Sequence, residues 1–100
     1  MTRKAILILF LLLAAWANFA QQQKVSGTIT DHATEELLIG VNIIYGPGKG
    51  TVTDINGNYL LQLAAGEYDL EISYVGYEKQ TRHIVVADKS LYIDFSLKNI

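Results

Sequence analysis

Residues 53–77 read TDINGNYLLQLAAGEYDLEISYVGY, and this stretch decides the fold that we predict. Apolar and polar residues alternate from Tyr68 to Tyr74, which is the period of a strand with one buried face and one solvated face. The alternation places Leu70 and Ile72 in the core. The Asn56-Gly57 dipeptide predicts a type I′ hairpin turn, because both central positions of that turn need a positive φ. We therefore expect a β-hairpin here, with the rest of the chain closing a core over it.

Outward from this stretch, the same strand pattern recurs along the chain. Seven segments in all read as strands: residues 25–30, 41–45, 51–53, 58–63, 68–75, 78–86 and 91–97. A polar loop at 31–36 and a glycine-proline cluster at 46–50 are among the turns that separate them, and only residues 34–39 could form a helical turn. Short strands with turn signals about every 8–12 residues predict an all-β fold, a sandwich of two antiparallel sheets of the transthyretin or immunoglobulin type.

The sequence of residues 1–20 predicts an export signal, which we expect to form a helix ahead of the sandwich. Arg3 and Lys4 give a positive start, an apolar run follows, and small residues lie near Ala20. The apolar run, residues 5–17, is shorter than the roughly 20 residues of a membrane-spanning helix. An uncleaved anchor is the alternative. After cleavage we expect a flexible start at residues 21–24 and no transmembrane span.

Composition narrows the partners and the compartment. The chain has 100 residues, which allow one small domain, and a formal net charge of −2. This charge gives no basic surface for nucleic acid. The chain has no cysteine, which excludes disulfides, thiolate metal sites, a thiol nucleophile and a lipid-modified cysteine. An acidic, cysteine-free exported domain fits a bacterial envelope.

No residue set forms a convincing catalytic, cofactor or metal site, so we predict none of the three. The two histidines, His32 and His83, fall on different elements without the spacing of a zinc motif. Asp54, Asn56 and Asn58 alternate like the start of a calcium loop, but no glutamate stands at the twelfth position and the glycine is in the wrong place. We interpret these three residues as turn residues.

The remaining polar and aromatic groups have simpler interpretations than chemistry. The glycine-rich residues 46–50 are not followed by the Lys-Ser/Thr of a phosphate loop. Glu35 and Glu36 read as a solvated loop, and the carboxylates at 69 and 71 as a charge row that discourages edge pairing. The tyrosines at 45, 59, 68, 74 and 77 could form a sugar-binding platform, although the alternation favours a core position for most of them. Tyr92 is predicted to point outward.

Four segments resemble the carboxypeptidase regulatory-like domain: VSGTITD at 25–31, LIGVNI at 38–43, GTVTDINGNY at 50–59 and GEYDLEISYVGY at 66–77. The resemblance covers residues 25–98 and implies a transthyretin-like sandwich of seven strands. The SYVGY end of the last segment is similar to the version found at the N-terminus of TonB-dependent outer-membrane receptors, ahead of their plug domain. Leu37 departs from the family, which usually has a proline there; without it the geometry of that loop is open.

Two functions are compatible with this resemblance. In the first, the chain is a non-catalytic interaction domain of a TonB-dependent uptake receptor, facing the periplasm and contacting envelope proteins or the rest of a receptor chain. Since residues 1–100 contain no plug and no barrel, the chain would then be a fragment or a truncated reading. In the second, it is a stand-alone secreted or periplasmic sandwich that binds a ligand such as carbohydrate. Neither is an enzyme.

Overall fold

The computed structural model describes residues 21–100, and the predicted export signal lies outside these described residues. The described chain is all β, as predicted, and its eight strands form two sheets. No helix within it is long and apolar enough to cross a membrane. The strands are β1 (Gln22–Asp31), β2 (Asn42–Gly46), β3 (Lys49–Val52), β4 (Asn58–Ala64), β5 (Gly66–Ser73), β6 (Gln80–Val86), β7 (Leu91–Tyr92) and β8 (Phe95–Leu97).

The first sheet is built around β1. This strand pairs antiparallel with β4 on one side, and parallel with β7 and then β8 on the other. The sheet is therefore mixed, whereas the sequence predicted antiparallel pairing throughout. The reason is that residues 87–90 carry the chain from one sheet to the other, and it enters the first sheet running in the direction of β1. β1 also begins earlier than the predicted Val25, since residues 22–24 pair with residues 62–64 of β4.

The second sheet has the strand order β3-β2-β5-β6, with antiparallel neighbours throughout. β2 and β3 form a hairpin whose tip is Pro47-Gly48, where Gly48 has a φ of 67°. Glycine tolerates this left-handed conformation because it has no Cβ. A turn is thus confirmed within the predicted cluster at residues 46–50, but it is confined to Pro47-Gly48, since Gly46 belongs to β2 and residues 49–50 to β3.

The turn at Asn56-Gly57 is not the hairpin that the sequence predicted. Gly57 has a φ of 73°, but Asn56 is not among the residues with positive φ, so the turn is not type I′. Instead the N–H of Gly57 donates to the Asp54 carbonyl at 2.9 Å, and the Asp54 carboxylate accepts from the N–H of Asn56 at 2.9 Å. Glycine in the left-handed position closes such a three-residue loop. β3 and β4 then diverge, since β3 pairs with β2 and β4 with β1.

The core lies between the inner faces of the two sheets. Leu70 and Ile72 are fully buried, as the alternation predicted. Thr53 is the buried polar residue of the β3–β4 connection: its hydroxyl donates to the Leu38 carbonyl at 2.6 Å and accepts from the Val41 N–H at 2.9 Å. The buried apolar side chains are Val25, Ile29, Leu38, Val41, Ile43, Tyr59, Leu61, Leu63, Leu70, Ile72, Ile84, Val86, Phe95 and Leu97.

The predicted last strand, residues 91–97, is split into β7 and β8, which gives eight strands instead of seven. The break between β7 and β8 lies beside Gly27 of β1. The N–H of Ile93 donates to the Ser26 carbonyl at 2.8 Å, and the N–H of Thr28 donates to Oδ1 of Asp94 at 2.8 Å. A side-chain carboxylate thus takes the place of a backbone acceptor. A Cβ on Gly27 would lie 1.8 Å from the Ile93 carbonyl oxygen, so only glycine allows this approach.

Candidate interaction surfaces

Asp31, the last residue of β1, is the most connected polar group of the described chain. Its side chain is buried, and Oδ1 accepts the N–H groups of Ala33 at 2.8 Å and Thr34 at 3.0 Å. Oδ2 accepts the Tyr77 hydroxyl at 2.6 Å and the Asn99 amide at 3.2 Å. Asp31 therefore joins three segments that are distant in the sequence.

The Asp31 contacts determine its charge. The hydrogen bond from the Tyr77 hydroxyl, together with the backbone N–H groups, lowers the pKa of Asp31 to about 2. The same hydrogen bond raises the pKa of Tyr77 to about 12. At neutral pH the pair is thus a carboxylate that accepts from a phenol. The sequence interpretation missed this role, because it assigned residues 31–36 to a polar loop. The signal that could have found it is an aspartate at the end of a predicted strand, because its carboxylate can accept hydrogen bonds from the backbone N–H groups of the turn that follows.

The outer face of the second sheet carries a row of charges along β5. Asp69 and Glu71 lie on this solvated face as predicted, together with Glu67. The predicted role at a sheet edge is wrong, because β5 is paired on both sides, with β2 and with β6. Nδ1 of His83 on β6 is 2.7 Å from Oδ1 of Asp69, and Nζ of Lys79 is 2.7 Å from Oε1 of Glu71. The hydrogen bond with Asp69 raises the pKa of His83. Both pairs are exposed and contribute little, so the backbone pairing of seven positions is what joins β6 to β5.

The two histidines do not share a site. Nδ1 of His32 is 3.1 Å from the Ser96 hydroxyl, whereas His83 pairs with Asp69 on the other sheet. Within residues 21–100, no three histidine or carboxylate groups are arranged to hold a metal ion. Glu35 lies in an exposed loop, where its φ is 62°. His32, His83 and Glu35 are all exposed, as expected for surface and loop residues.

The tyrosines divide as the alternation predicted. Tyr59 is buried and its hydroxyl donates to the Ile93 carbonyl at 2.6 Å, while the partly buried Tyr68 donates to the Ala64 carbonyl at 2.8 Å. Burial raises the pKa of Tyr59. Tyr45, Tyr74 and Tyr77 also pack against the core.

Tyr92 is different, because 71% of its surface is exposed on the outer face of the first sheet. It is paired with Ser26 of β1, whose other neighbour is Leu60 of β4. Together with Asn58 these residues line an open depression of about 320 Å³. We call this depression the Tyr92 face.

Each sheet also ends in strands with one unpaired side. In the second sheet these are β3 and β6. β3 is short and carries Gly50, where a Cβ would lie 2.3 Å from the Ile43 carbonyl oxygen. β6 has seven residues and no glycine or proline. β6 is therefore the longer free edge of this sheet for the addition of a strand by another chain.

Comparison with known proteins identifies the domain. A model of the carboxypeptidase regulatory-like family (CarboxypepD_reg-like domain) matches residues 25–99. The match begins at Val25, within β1, and includes all the later strands and their connections. The chain belongs to this family. The match ends one residue beyond the predicted boundary at 98. The expected resemblance is thus confirmed.

Three similar proteins show where such a domain occurs. TonB-dependent receptor P3 of Formosa agariphila is 38% identical over 78 residues, which are 77% of this chain but 8% of the receptor. TonB-dependent receptor P39 of the same organism is 37% identical over 94 residues, 91% of this chain and 9% of that receptor. A viral protein named Structural protein 27 is 33% identical over 83 residues, 83% of this chain and 16% of that protein. The carboxypeptidase regulatory-like domain therefore spans only a small part of these relatives.

A solved structure supports the fold alone. A type II cohesin–X-dockerin complex from Acetivibrio cellulolyticus contains a chain that superposes with a TM-score of 0.62 at 23% identity. The superposition covers 73% of this chain and 52% of that one. The two chains therefore share this fold at low sequence identity.

Proposed function

We propose that this carboxypeptidase regulatory-like domain is a non-catalytic accessory domain of a TonB-dependent outer-membrane uptake receptor. The observation that carries the proposal is the 38% identity over 78 residues to a TonB-dependent receptor that is far longer than this chain. The domain is exported through the signal predicted at residues 1–20, and it faces the periplasm. There it contacts the rest of the receptor chain or other envelope proteins.

The described geometry supports a structural role for the polar groups. Both oxygens of Asp31 accept hydrogen bonds that tie the domain together. His83 is engaged with Asp69 across two strands. The Asp31 contacts hold the sandwich together and His83 is paired, which fits a domain that offers surfaces to partners and performs no reaction.

The direct test is the coding DNA after the Ile100 codon. The proposal expects an in-frame sequence that continues into a plug and a long series of alternating barrel strands. A stop codon followed by unrelated sequence would refute the receptor assignment. Fractionation of cells that express the full reading frame gives the second measurement, with the product expected in the outer membrane.

The Tyr92 face favours a second candidate, the binding of carbohydrate. An exposed tyrosine beside hydroxyl and amide groups can stack on a sugar ring while the polar groups accept or donate hydrogen bonds. Here Tyr92 lies next to Ser26 and Asn58 around an open depression. Soluble glycans titrated into the purified chain should perturb tyrosine fluorescence, and Tyr92→Ala should abolish the effect. A broad glycan panel without any response would refute this candidate.

A further inference from the structure

Exposed apolar side chains are concentrated at one end of the sandwich. Of the ten large hydrophobic residues that the described chain exposes, five lie in the loops at this end. Val75 is 94% exposed and Ile55 78%. We call this surface the apolar end and define it by Leu37, Ile39, Ile55, Val75 and Ile100.

Backbone hydrogen bonds bring the first three of these residues together. The N–H of Leu38 donates to the Ile29 carbonyl at 3.0 Å, and the N–H of Ile29 donates to the Gly57 carbonyl at 2.9 Å. The loop that carries Leu37 and Ile39 therefore lies beside the turn that carries Ile55. A Cβ on Gly57 would in fact lie 3.1 Å from the Cβ of Leu37.

The other two residues are joined to the same end. The N–H of Ile100 donates to the Gly76 carbonyl at 3.0 Å, which places Ile100 beside Val75. Asp31 at the end of β1 then holds this segment through Tyr77 and Asn99. The residues of the apolar end thus lie on loops that are hydrogen-bonded to β1 or to one another.

The opposite end of the sandwich provides the contrast. Its turns, residues 46–49, 64–66 and 86–91, contain none of the ten exposed large hydrophobic residues and are rich in glycine and charge. Single exposed apolar residues are ordinary on protein surfaces, but a concentration of them on one surface marks an interaction site. The loops at one end carry five such residues and the turns at the other carry none, which makes the apolar end the candidate interaction site.

The position of Ile100 indicates the occupant. In a receptor polypeptide, the chain that follows residue 100 leaves from the apolar end itself, because Ile100 is fixed there by Gly76. A domain tethered at this point meets the surface at a high effective concentration without any other recruitment. We propose that the apolar end is the docking surface for the domain that follows residue 100 in the same polypeptide. This inference rests on the proposed receptor function.

Single cysteines test the docking, since the chain contains no native cysteine. Ile55→Cys and Val75→Cys report on the apolar end, and Lys89→Cys at the opposite end is the matched control. Each variant is made in two forms. The first is the protein encoded by the full reading frame, assayed in isolated outer membranes, and the second is the chain that ends at Ile100. The measurement is the rate of reaction with a maleimide. We expect at least a tenfold slower reaction at positions 55 and 75 in the full frame, and equal rates at position 89.

The outcomes separate the two proposals. A full frame that encodes no receptor refutes the proposed function and this inference with it. A full frame that encodes a receptor but gives equal maleimide rates in both forms refutes the docking alone. Protection that appears in the chain ending at Ile100, and grows with its concentration, would assign the surface to a second copy and also overturn the inference.

Polar substitutions supply an independent readout. The double variant Ile55→Ser/Val75→Ser should leave the melting temperature of the chain unchanged, because both side chains are exposed. In the full frame it should increase protease cleavage just after residue 100 several-fold. Ile44→Ser/Val85→Ser, which changes exposed residues on the outer face of the second sheet, is the control and should not. Equal cleavage of the two double variants would contradict the docking.

Discussion

Gly27 is the position at which we expect the addition of a single methyl group to cost the most stability. The Cβ of an alanine would lie 1.8 Å from the Ile93 carbonyl oxygen, whereas real Cβ atoms essentially never approach another atom within 3.0 Å. The segment at residues 93–94 would have to retreat, with the loss of the three hydrogen bonds that it makes with β1 and β4. At about 0.5–1.5 kcal/mol for each bond, Gly27→Ala should lower the free energy of unfolding by about 1.5–4.5 kcal/mol.

Urea unfolding followed by far-ultraviolet circular dichroism measures this change. For a domain of this size each kcal/mol also lowers the melting temperature by about 4–8 °C. The matched control is Gly46→Ala, where the nearest atom to the new Cβ is 3.8 Å away and φ is not positive. The control should stay within about 0.5 kcal/mol of the wild type. Equal unfolding midpoints for the two alanine variants would refute the reasoning.

Three further predictions concern the core and the titrating groups. Leu70→Ala removes a fully buried side chain and should cost about 2–5 kcal/mol, whereas the half-exposed Leu60→Ala should cost far less in the same urea assay. Folding lowers the pKa of Asp31 to about 2, so the stabilising contribution of its carboxylate is complete above pH 4 and is lost as the pH falls toward 2. In a plot of melting temperature against pH, Asp31→Asn should flatten this acidic part of the curve. Folding raises the pKa of His83 through its hydrogen bond with Asp69, so the stabilising contribution of His83 is complete below its unfolded pKa and is lost as the pH rises through its folded pKa. An NMR titration should show a lower pKa for His83 in the Asp69→Asn variant than in the wild type.

The sequence predicts the faces of the strands well, because alternation reports directly which side chains avoid water. Leu70 and Ile72 are buried and Tyr92 is exposed, as the pattern required. The family resemblance also rests on local segments, and the match to residues 25–99 confirms it. These are the properties that neighbouring residues determine.

Pairing between strands is not a local property, and here the sequence predictions fail. The alternation at residues 51–53 and 58–63 cannot tell whether two strands separated by Asn56-Gly57 pair with each other or enter different sheets. In the structure β3 pairs with β2 and β4 with β1, and the buried hydroxyl of Thr53 binds the end of β3 to residues 38–41. The break at Ile93 is also invisible in a clean alternation, because it depends on the close approach of Gly27, which lies in the first strand of the chain.

The candidate surfaces follow the same division. Tyr92 could be assigned to the surface from its own strand, whereas the apolar end requires the ends of several strands to be known. Leu37, Ile55 and Val75 are unremarkable as single loop residues, and only the hydrogen bonds at Ile29 and Ile100 bring their loops to one end.

The position of β1 explains why stability and contact should be separable in this domain. β1 pairs with three strands, and two of its residues, Gly27 and Asp31, fix the segments that lie farthest from it in sequence. The exposed residues of the apolar end contribute little to this frame. Changes at Gly27 should therefore alter unfolding before any contact is affected, while changes at Ile55 and Val75 should alter contact in a domain that still melts normally. A variant of Ile55 or Val75 that unfolded the chain would mean that the frame depends on these side chains, and that their exposure serves no partner.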